Sequence, residues 1–451
     1  MNEYSMMTQE LQDLAALSME HGQIPSGLYD QYHVLRGLRD VNGKGVLAGL
    51  TDISTITSSK EVDGKMVPCD GELRYRGYDI HDLVDGFVAE QRFGYEEVAY
   101  LLIFGRLPQK QELQEFQNLL GSYRTLPTNF VRDVIMKAPG KDMMNTLQRG
   151  VLTLYGYDDM ADDISIPNVL RQCLQLTSTV PLLAVYGYQA YNHYVEGKSF
   201  YIHSPKQELS TAENILRMLR PNKKYTPLEA RVLDIALVLH MDHGGGNNST
   251  FTNVVISSTG TDIYSTVCGS IGSMKGPRHG GANIKVAEMM DAVLEETGGY
   301  TADDKKIKTA VNKLMDGELY DRTGLVYGFG HAVYTISDPR AEMLRARCLE
   351  VAKEKKMMTE FDFRQRFERI ALETMKERKG VALPTNVDYY SGFAYEMLGI
   401  PRDLYTPLFV CSRMVGWVAH NIENKLYDGR IMRPATKYVG DNKEYTAMEE
   451  R

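Results

Sequence analysis

Cysteine is scarce in this chain of 451 residues. Cys69, Cys173, Cys268, Cys348 and Cys411 are scattered, with no Cys-x-x-Cys pair among them. That spacing argues against a disulfide framework and against a thiolate zinc site, and it fits a reducing compartment. Long apolar runs are missing too. The most apolar stretch, Ile166 to Tyr191, is broken by Arg171, Gln172, Gln175 and Pro181, so it reads as a buried, kinked helix pair and not as a membrane span. The start, Met1-Asn2-Glu3, has neither an apolar core nor an arginine-rich amphipathic run, so no signal or transit peptide is expected and the expected location is cytoplasmic. Positive charge is in deficit: the net charge is −8 and the pI about 5.8, which gives no general attraction for nucleic acid or anionic lipid. Internal repeats and low-complexity tracts are absent. Neither a Walker-type string nor a complete Gly-x-Gly-x-x-Gly surrounds Gly269 to Gly276, so nucleotide hydrolysis and nicotinamide binding are poor fits.

What is present is ordinary for a globular protein: 43% hydrophobic and 24% charged residues with a mean hydropathy of −0.33, in a length that allows two or three domains. Helical periodicity dominates. Thr8 to Met19 offers a capping threonine with Leu11, Leu14 and Ala15 on one face, and a helix over Gln109 to Leu120 begins just after Pro108. Between Val46 and Arg76 the pattern alternates, with turn signals at Asp63-Gly64 and Asp70-Gly71 that predict one or two short hairpins. The fold class is therefore mainly α with a small N-terminal β-hairpin region. Charge runs such as Lys305-Lys306-Ile307-Lys308 and Lys353-Glu354-Lys355-Lys356 read as solvated helix faces. The acidic patch Tyr157 to Asp163 carries no assignable motif.

The most informative string is Gly276-Pro277-Arg278-His279-Gly280-Gly281-Ala282-Asn283. Ile284, Val286, Met289, Met290, Val293 and Leu294 follow at near-helical spacing, which puts His279 at or just before a helix start. The partial positive charge there disfavours imidazolium and leaves a neutral ring able to donate to an oxyanion. Taken alone, the string serves equally well as a turn with a polar filler. Upstream, Val232, Ile235, Ala236 and Leu239 form a stripe running into His240 and His243, and Gly244-Gly245-Gly246 must end that helix. His240-x-x-His243 with Asp242 could mark a metal site, but it lacks the glutamate of His-Glu-x-x-His, and no metal is expected.

Two further strings join these: Gly328-Phe329-Gly330-His331-Ala332-Val333-Tyr334 leading to Asp338-Pro339-Arg340, and Leu383-Pro384-Thr385-Asn386-Val387-Asp388-Tyr389-Tyr390-Ser391-Gly392. Together with His279 they resemble the signature blocks of the citrate synthase family. Further similar blocks run in the family's order, from Leu73-Arg74-Tyr75-Arg76-Gly77-Tyr78-Asp79-Ile80 through Ser412-Arg413-Met414-Val415-Gly416-Trp417 to Met432-Arg433-Pro434.

The resemblance implies a two-domain helical fold, with residues 1–277 and 388–451 as a large dimerisation domain and 278–387 as a small mobile domain carrying much of the coenzyme A site. It implies an acyltransferase that condenses acetyl-CoA with oxaloacetate and hydrolyses citryl-CoA, with acetyl-CoA as a substrate and no cofactor. Position by position, Asp388 becomes the base, His279 the donor to the thioester oxygen and His331 the donor to the ketone. His243, Arg340, Arg413 and Arg433 become the oxaloacetate and citrate contacts, Arg433 reaching in from the neighbouring subunit of a homodimer. Val326, Gly328, Phe329, Gly330 and Lys379 become coenzyme A contacts. The family often has a basic residue where this chain has Thr335, which weakens or rearranges one expected phosphate contact.

On the residues alone, Asp388 could instead cap the helix that follows, His331 could be a turn residue, and each arginine could serve an ordinary salt bridge. Convergence of Lys275, Arg278, Arg340, Lys379, Arg413 and Arg433 is expected if an anionic substrate is to overcome the global repulsion. 2-Methylcitrate synthase, acting on propionyl-CoA, is an alternative with the same residues. A non-catalytic helical scaffold or metal-binding protein is an alternative from a different class.

Overall fold

The computed structural model describes residues 5–21, 23–40, 45–380, 382–427 and 429–450, so the Met1-Asn2-Glu3 start lies outside the described residues. Seventeen α-helices and one three-stranded sheet make up the described architecture, which is mainly α as expected. Internal contacts gather the chain into two units, Met1–Ala48 with Arg433–Arg451, and Gly49–Met432.

In the first unit the helix Gln9–His21 starts where the sequence indicates, with the Thr8 hydroxyl accepting from the Leu11 amide at 3.3 Å. Leu11, Leu14 and Leu17 remain 48–55% exposed along it. The short helix Gly27–Gln31 follows, and Lys437 of the C-terminal segment lies over the Tyr32 ring, 5.6 Å from its centre.

The second unit opens with antiparallel strands β1 (Ser54–Val62) and β2 (Lys65–Tyr75), completed by the two-residue β3 (Tyr78–Asp79). Asp63 (φ 52°) and Gly64 (φ 77°) form the hairpin turn, both left-handed as the twist of a tight hairpin demands. The second turn signal fails: Asp70-Gly71 lies inside β2. Gly71 is there because a loop passes against it, and a Cβ would sit 2.3 Å from the Ser337 carbonyl oxygen and 2.5 Å from the Tyr334 ring.

Two long helices carry the core. Tyr405–Leu426 is buried from Tyr405 to Glu423, with Trp417 fully enclosed, and packs against Ile166–Tyr194, Asn248–Ser257, Tyr95–Phe104 and Pro227–His240. A helix apolar on every side has to be surrounded in this way. Ile166–Tyr194 is one continuous helix where a kinked pair was expected. Pro181 removes a single backbone donor, and burial of residues 176–190 on all faces outweighs that loss. The acidic patch also finds a purpose: Asp158 accepts from Arg171 at 2.9 Å, Gln172 at 2.8 Å and the Tyr264 hydroxyl at 2.8 Å.

Past Lys275, the helices Ala282–Thr297, Asp304–Met315, Pro339–Lys355, Met358–Lys379 and Val387–Met397 pack on one another. Lys305, Lys306 and Lys308 lie on an exposed face there while Ile307 is buried, as the charge pattern implies.

Candidate active site

His243 stands three residues beyond the helix Pro227–His240, which opens with a Thr226/Glu229 capping box and closes ahead of the glycine run. Gly244 (φ 79°) turns the chain back. The His243 ring is buried, its Nε2 has no partner, and it meets the rings of His331 at 5.0 Å and Tyr334 at 5.4 Å, edge to face. Burial, followed by Arg340, His331 and Arg413, holds this imidazole well below its ordinary range, so it is neutral. His240 is committed elsewhere, with Nδ1 2.7 Å from the Ala236 carbonyl and its ring edge-on to Phe409 at 4.8 Å.

The segment from Val326 to His331 is stapled to the start of the Val387–Met397 helix. Gly330 N donates to the Pro384 carbonyl at 2.7 Å, Asn386 N to the Gly328 carbonyl at 2.9 Å and Asn386 Nδ2 to the Gly330 carbonyl at 2.9 Å, and Phe329 bridges to Thr385. Gly328 is required twice over: its φ is 89°, and a Cβ would lie 2.9 Å from the Tyr389 ring. The ladder delivers two side chains. The first is His331, whose Nδ1 accepts from the amides of Val333 at 3.0 Å and Tyr334 at 3.1 Å, which leaves the ring proton on Nε2. The second is Asp388.

Asp388 is the second residue of its helix. The cap is Asn386, whose Oδ1 accepts from the Asp388 amide at 3.1 Å, so the capping role open to Asp388 is filled by its neighbour. Asp388 Oδ1 is shut off from solvent without a partner. Burial lifts the carboxyl to about 7, against the opposing pull of Arg340 and Arg413.

Both of those arginines are enclosed. Arg340 forks onto Asp338, Nε to Oδ1 at 2.9 Å and Nη2 to Oδ2 at 2.7 Å, and Asp338 also caps the Pro339–Lys355 helix and accepts from Val387 N at 3.2 Å. Arg413 Nε donates to the His240 carbonyl at 2.8 Å, while Nη1 and Nη2 have no partner. Burial lowers this guanidinium to about 10, with Asp242 the largest opposing influence. A buried arginine with both terminal nitrogens unspent is a ready receptor for a carboxylate.

His279 lies between the helices Ile263–Lys275 and Ala282–Thr297, three residues before the second. Its Nε2 is 3.0 Å from the Ser249 hydroxyl, which also accepts from Trp417 Nε1 at 3.2 Å. The ring is pushed down to about 4, by burial first and then by Arg413, the same direction as the helix-start effect expected from sequence.

Of the basic groups expected to converge, Arg340 and Arg413 act together on His243 and Asp388. Lys275 pairs with Asp142 at 2.7 Å, and Arg278 is exposed. Lys379, the last residue of the Met358–Lys379 helix, is exposed, and Val326 is buried in the core. Arg433 is exposed and belongs to the first unit. Thr335 is exposed, its hydroxyl 3.4 Å from the Ser58 carbonyl. Sequence reasoning missed Tyr334, whose ring lies 4.8 Å from that of His331 and 5.7 Å from the Arg340 guanidinium, and whose buried hydroxyl has no partner. It also missed Asp338, although an Asp-Pro pair ahead of a periodic run is a helix-start signal.

Comparison with known proteins identifies the family and the fold. The family model for the citrate synthase C-terminal domain matches residues 38–435. A citrate synthase of Haloferax volcanii is 37% identical over 389 residues, covering 84% of this chain and 93% of the relative. A 2-methylcitrate synthase of Shewanella oneidensis is 31% identical, covering 88% of this chain and 94% of its own. Among solved structures, the citrate synthase of Pyrobaculum aerophilum superposes with a TM-score of 0.74 at 30% identity, covering 93% and 95% of the two chains. A ternary complex of the Thermoplasma acidophilum citrate synthase with carboxymethyl coenzyme A and oxaloacetate gives 0.74 at 26% identity, covering 92% and 99%.

Proposed function

The chain belongs to the citrate synthase family, and on that premise we propose that it condenses acetyl-CoA with oxaloacetate and hydrolyses the resulting citryl-CoA. The observation that carries this is Arg413, a buried guanidinium with two unspent nitrogens whose charge is felt by His243, His279 and Asp388. One carboxylate of oxaloacetate fits that fork, and Arg340 and His243 supply further donors.

Asp388 removes a proton from the thioester methyl group, and its carboxyl, poised near neutrality, is matched to that task. The developing enolate oxygen needs a donor that does not itself compete for the proton, and a neutral His279 meets that need. His331 presents its Nε2 proton to the ketone oxygen of oxaloacetate, which gains a hydrogen as the new carbon–carbon bond forms. Water then cleaves the thioester to give citrate and the free thiol of coenzyme A. The proposed chemistry draws on side chains alone, so no metal or cofactor is required of it.

Coenzyme A is assigned to Val326, Gly328, Phe329, Gly330 and Lys379. Residues 278–387 are assigned to a small domain that closes over oxaloacetate and excludes water before the thioester is exposed to chemistry. Gly280 and Gly392, near the two crossings between the assigned domains, are closely packed, a Cβ on them meeting the Met274 oxygen at 2.7 Å and the Asn283 oxygen at 3.3 Å. Arg433 is assigned to the active site of a second copy in a homodimer. The uncovered leucines of Gln9–His21 in the same unit are consistent with a further surface being buried on assembly. A cytoplasmic location accords with five free cysteines and with the lack, among the described residues, of a helix long and apolar enough to cross a membrane.

The test is the initial rate of coenzyme A release with oxaloacetate, using acetyl-CoA and propionyl-CoA in parallel. A preference for acetyl-CoA supports the proposal. A preference for propionyl-CoA moves the assignment to 2-methylcitrate synthesis, a distinction of one methylene worth about 1–3 kcal/mol. No release with either returns the scaffold alternative to the front.

A further inference from the structure

Asp242, His420 and Glu423 have no part in the proposed chemistry, yet they are 0%, 3% and 8% exposed and form one connected line beneath the His243 turn. His420 Nε2 lies 3.2 Å from Asp242 Oδ2. The same oxygen accepts from Gly244 N at 3.1 Å and from the Ser54 hydroxyl, and Ser54 Oγ lies 3.0 Å from that same Gly244 amide. The peptide immediately after His243 is therefore gripped from two sides. At the far ring nitrogen, His420 Nδ1 has the Thr51 hydroxyl at 3.4 Å and Glu423 Oε2 at 3.8 Å, and Glu423 Oε1 accepts from Asp52 N at 2.7 Å. One turn pair of the Tyr405–Leu426 helix thus clamps the entry to β1 onto the loop that carries His243.

The other carboxylate oxygen, Asp242 Oδ1, has no hydrogen-bond partner and sits where Gly416 leaves room, since a Cβ there would be 2.5 Å away. Arg413 lies three residues earlier on that helix. Burial alone would raise the Asp242 carboxyl, but His420 and Arg413 outweigh it and hold the group well below the usual carboxylate range. One ionised carboxylate therefore answers both to the turn bearing His243 and to the charge of Arg413.

We propose that the Asp242–His420 pair, oriented by Glu423 and Thr51, is a positioning device that sets the His243 turn for a dicarboxylate keto acid without touching it. This rests on the condensation assignment above. A buried donor–acceptor pair of this kind acts on the pocket through geometry, so its loss should appear in keto-acid affinity before it appears in thioester affinity.

The experiment compares His420→Ala, His420→Gln and Glu423→Gln with the wild type by calorimetric titration of oxaloacetate, by separate KM values for oxaloacetate and acetyl-CoA, and by thermal unfolding. Loss of the donor in His420→Ala should weaken oxaloacetate binding about tenfold while the acetyl-CoA KM moves by less than about twofold. His420→Gln, whose amide nitrogen can still donate to Asp242, should stay within about threefold of wild type. A folded His420→Ala enzyme with unchanged oxaloacetate affinity overturns the proposal, as does equal impairment of the Ala and Gln variants. Should His420→Ala fail to fold, Glu423→Gln decides: a weakening of about threefold supports the pair and unchanged affinity refutes it. A wild type that binds oxaloacetate yet releases no coenzyme A defeats the condensation assignment, while the affinity series still judges the pair.

Discussion

Arg340 and Arg413 are both buried, both act on His243 and Asp388, and are held in opposite ways. Arg340 has its carboxylate already, a two-point fork onto Asp338, and that partner keeps its guanidinium above the ordinary range in spite of burial. Arg413 has one backbone carbonyl and two idle nitrogens, and burial pulls it down to about 10. The difference separates a guanidinium anchored to the fold, which offers a ligand only the nitrogen that Asp338 leaves over, from one whose two terminal nitrogens both wait for a ligand. Burial of an arginine does not mark a binding site by itself; burial with unspent donors does.

The comparison breaks most visibly under substitution. Arg340→Leu strands Asp338 as an uncompensated buried charge, and thermal or denaturant unfolding should show a loss of about 3–5 kcal/mol, largely recovered when Asp338→Asn is added. Arg413→Met should cost less, about 1–2 kcal/mol, since it releases the His240 carbonyl, gives up the Phe409 ring contact and leaves Asp242 to His420, while removing an unpaired buried charge. Its kcat/KM for oxaloacetate should nevertheless fall by about 10²–10³-fold, the worth of two charge-assisted hydrogen bonds. Similar stability losses in the two single variants would erase the distinction.

A titration sharpens it. Below about 7 the Asp388 carboxyl holds its proton and cannot accept one, so kcat/KM should climb with pH through about 7 and then level off. The stability sign runs the other way. The folded carboxyl is raised above the unfolded value of about 4, so between those limits the native state keeps a proton that the unfolded chain releases, and the contribution of this group to stability falls as pH rises. Asp388→Asn should be at least as stable as wild type at pH 8 and lose that advantage near pH 5, which unfolding curves at the two pH values would show.

Smaller effects test the frame. Gly71→Ala should destabilise by about 1–3 kcal/mol, because its Cβ would enter the Ser337 carbonyl and the Tyr334 ring that backs both histidines. Thr335→Arg should tighten coenzyme A binding by about twofold to fivefold, the worth of one exposed charge contact to phosphate; unchanged affinity by calorimetry would remove that residue from the coenzyme site.

Strings of contiguous residues made much of the site legible in advance. His279 lies between Gly276 and Gly280, His331 directly follows Gly330, Asp388 follows Asn386 across a helix start, and Asp63-Gly64 is a hairpin turn in sequence and in space. What stayed hidden was set by partners far away in the chain. Asp70-Gly71 has the composition of a turn, but its glycine answers to Ser337 and Tyr334, some 266 residues on. Pro181 has the signature of a break, but a helix enclosed on every face tolerates one missing donor. No local pattern could reveal that Asp338 also accepts from Val387, 49 residues on, or that His420 sits under His243 through Asp242, 178 residues away.

The central claim is that Asp388 is the base of an oxaloacetate-dependent condensation, and the initial rate of coenzyme A release by wild type and Asp388→Ala, with and without oxaloacetate, tests it most directly. The expected result is release from acetyl-CoA only when oxaloacetate is present, reduced by about 10²–10⁴-fold in the variant, with oxaloacetate affinity kept. Release that ignores oxaloacetate, or a variant that turns over at the wild-type rate, would contradict it.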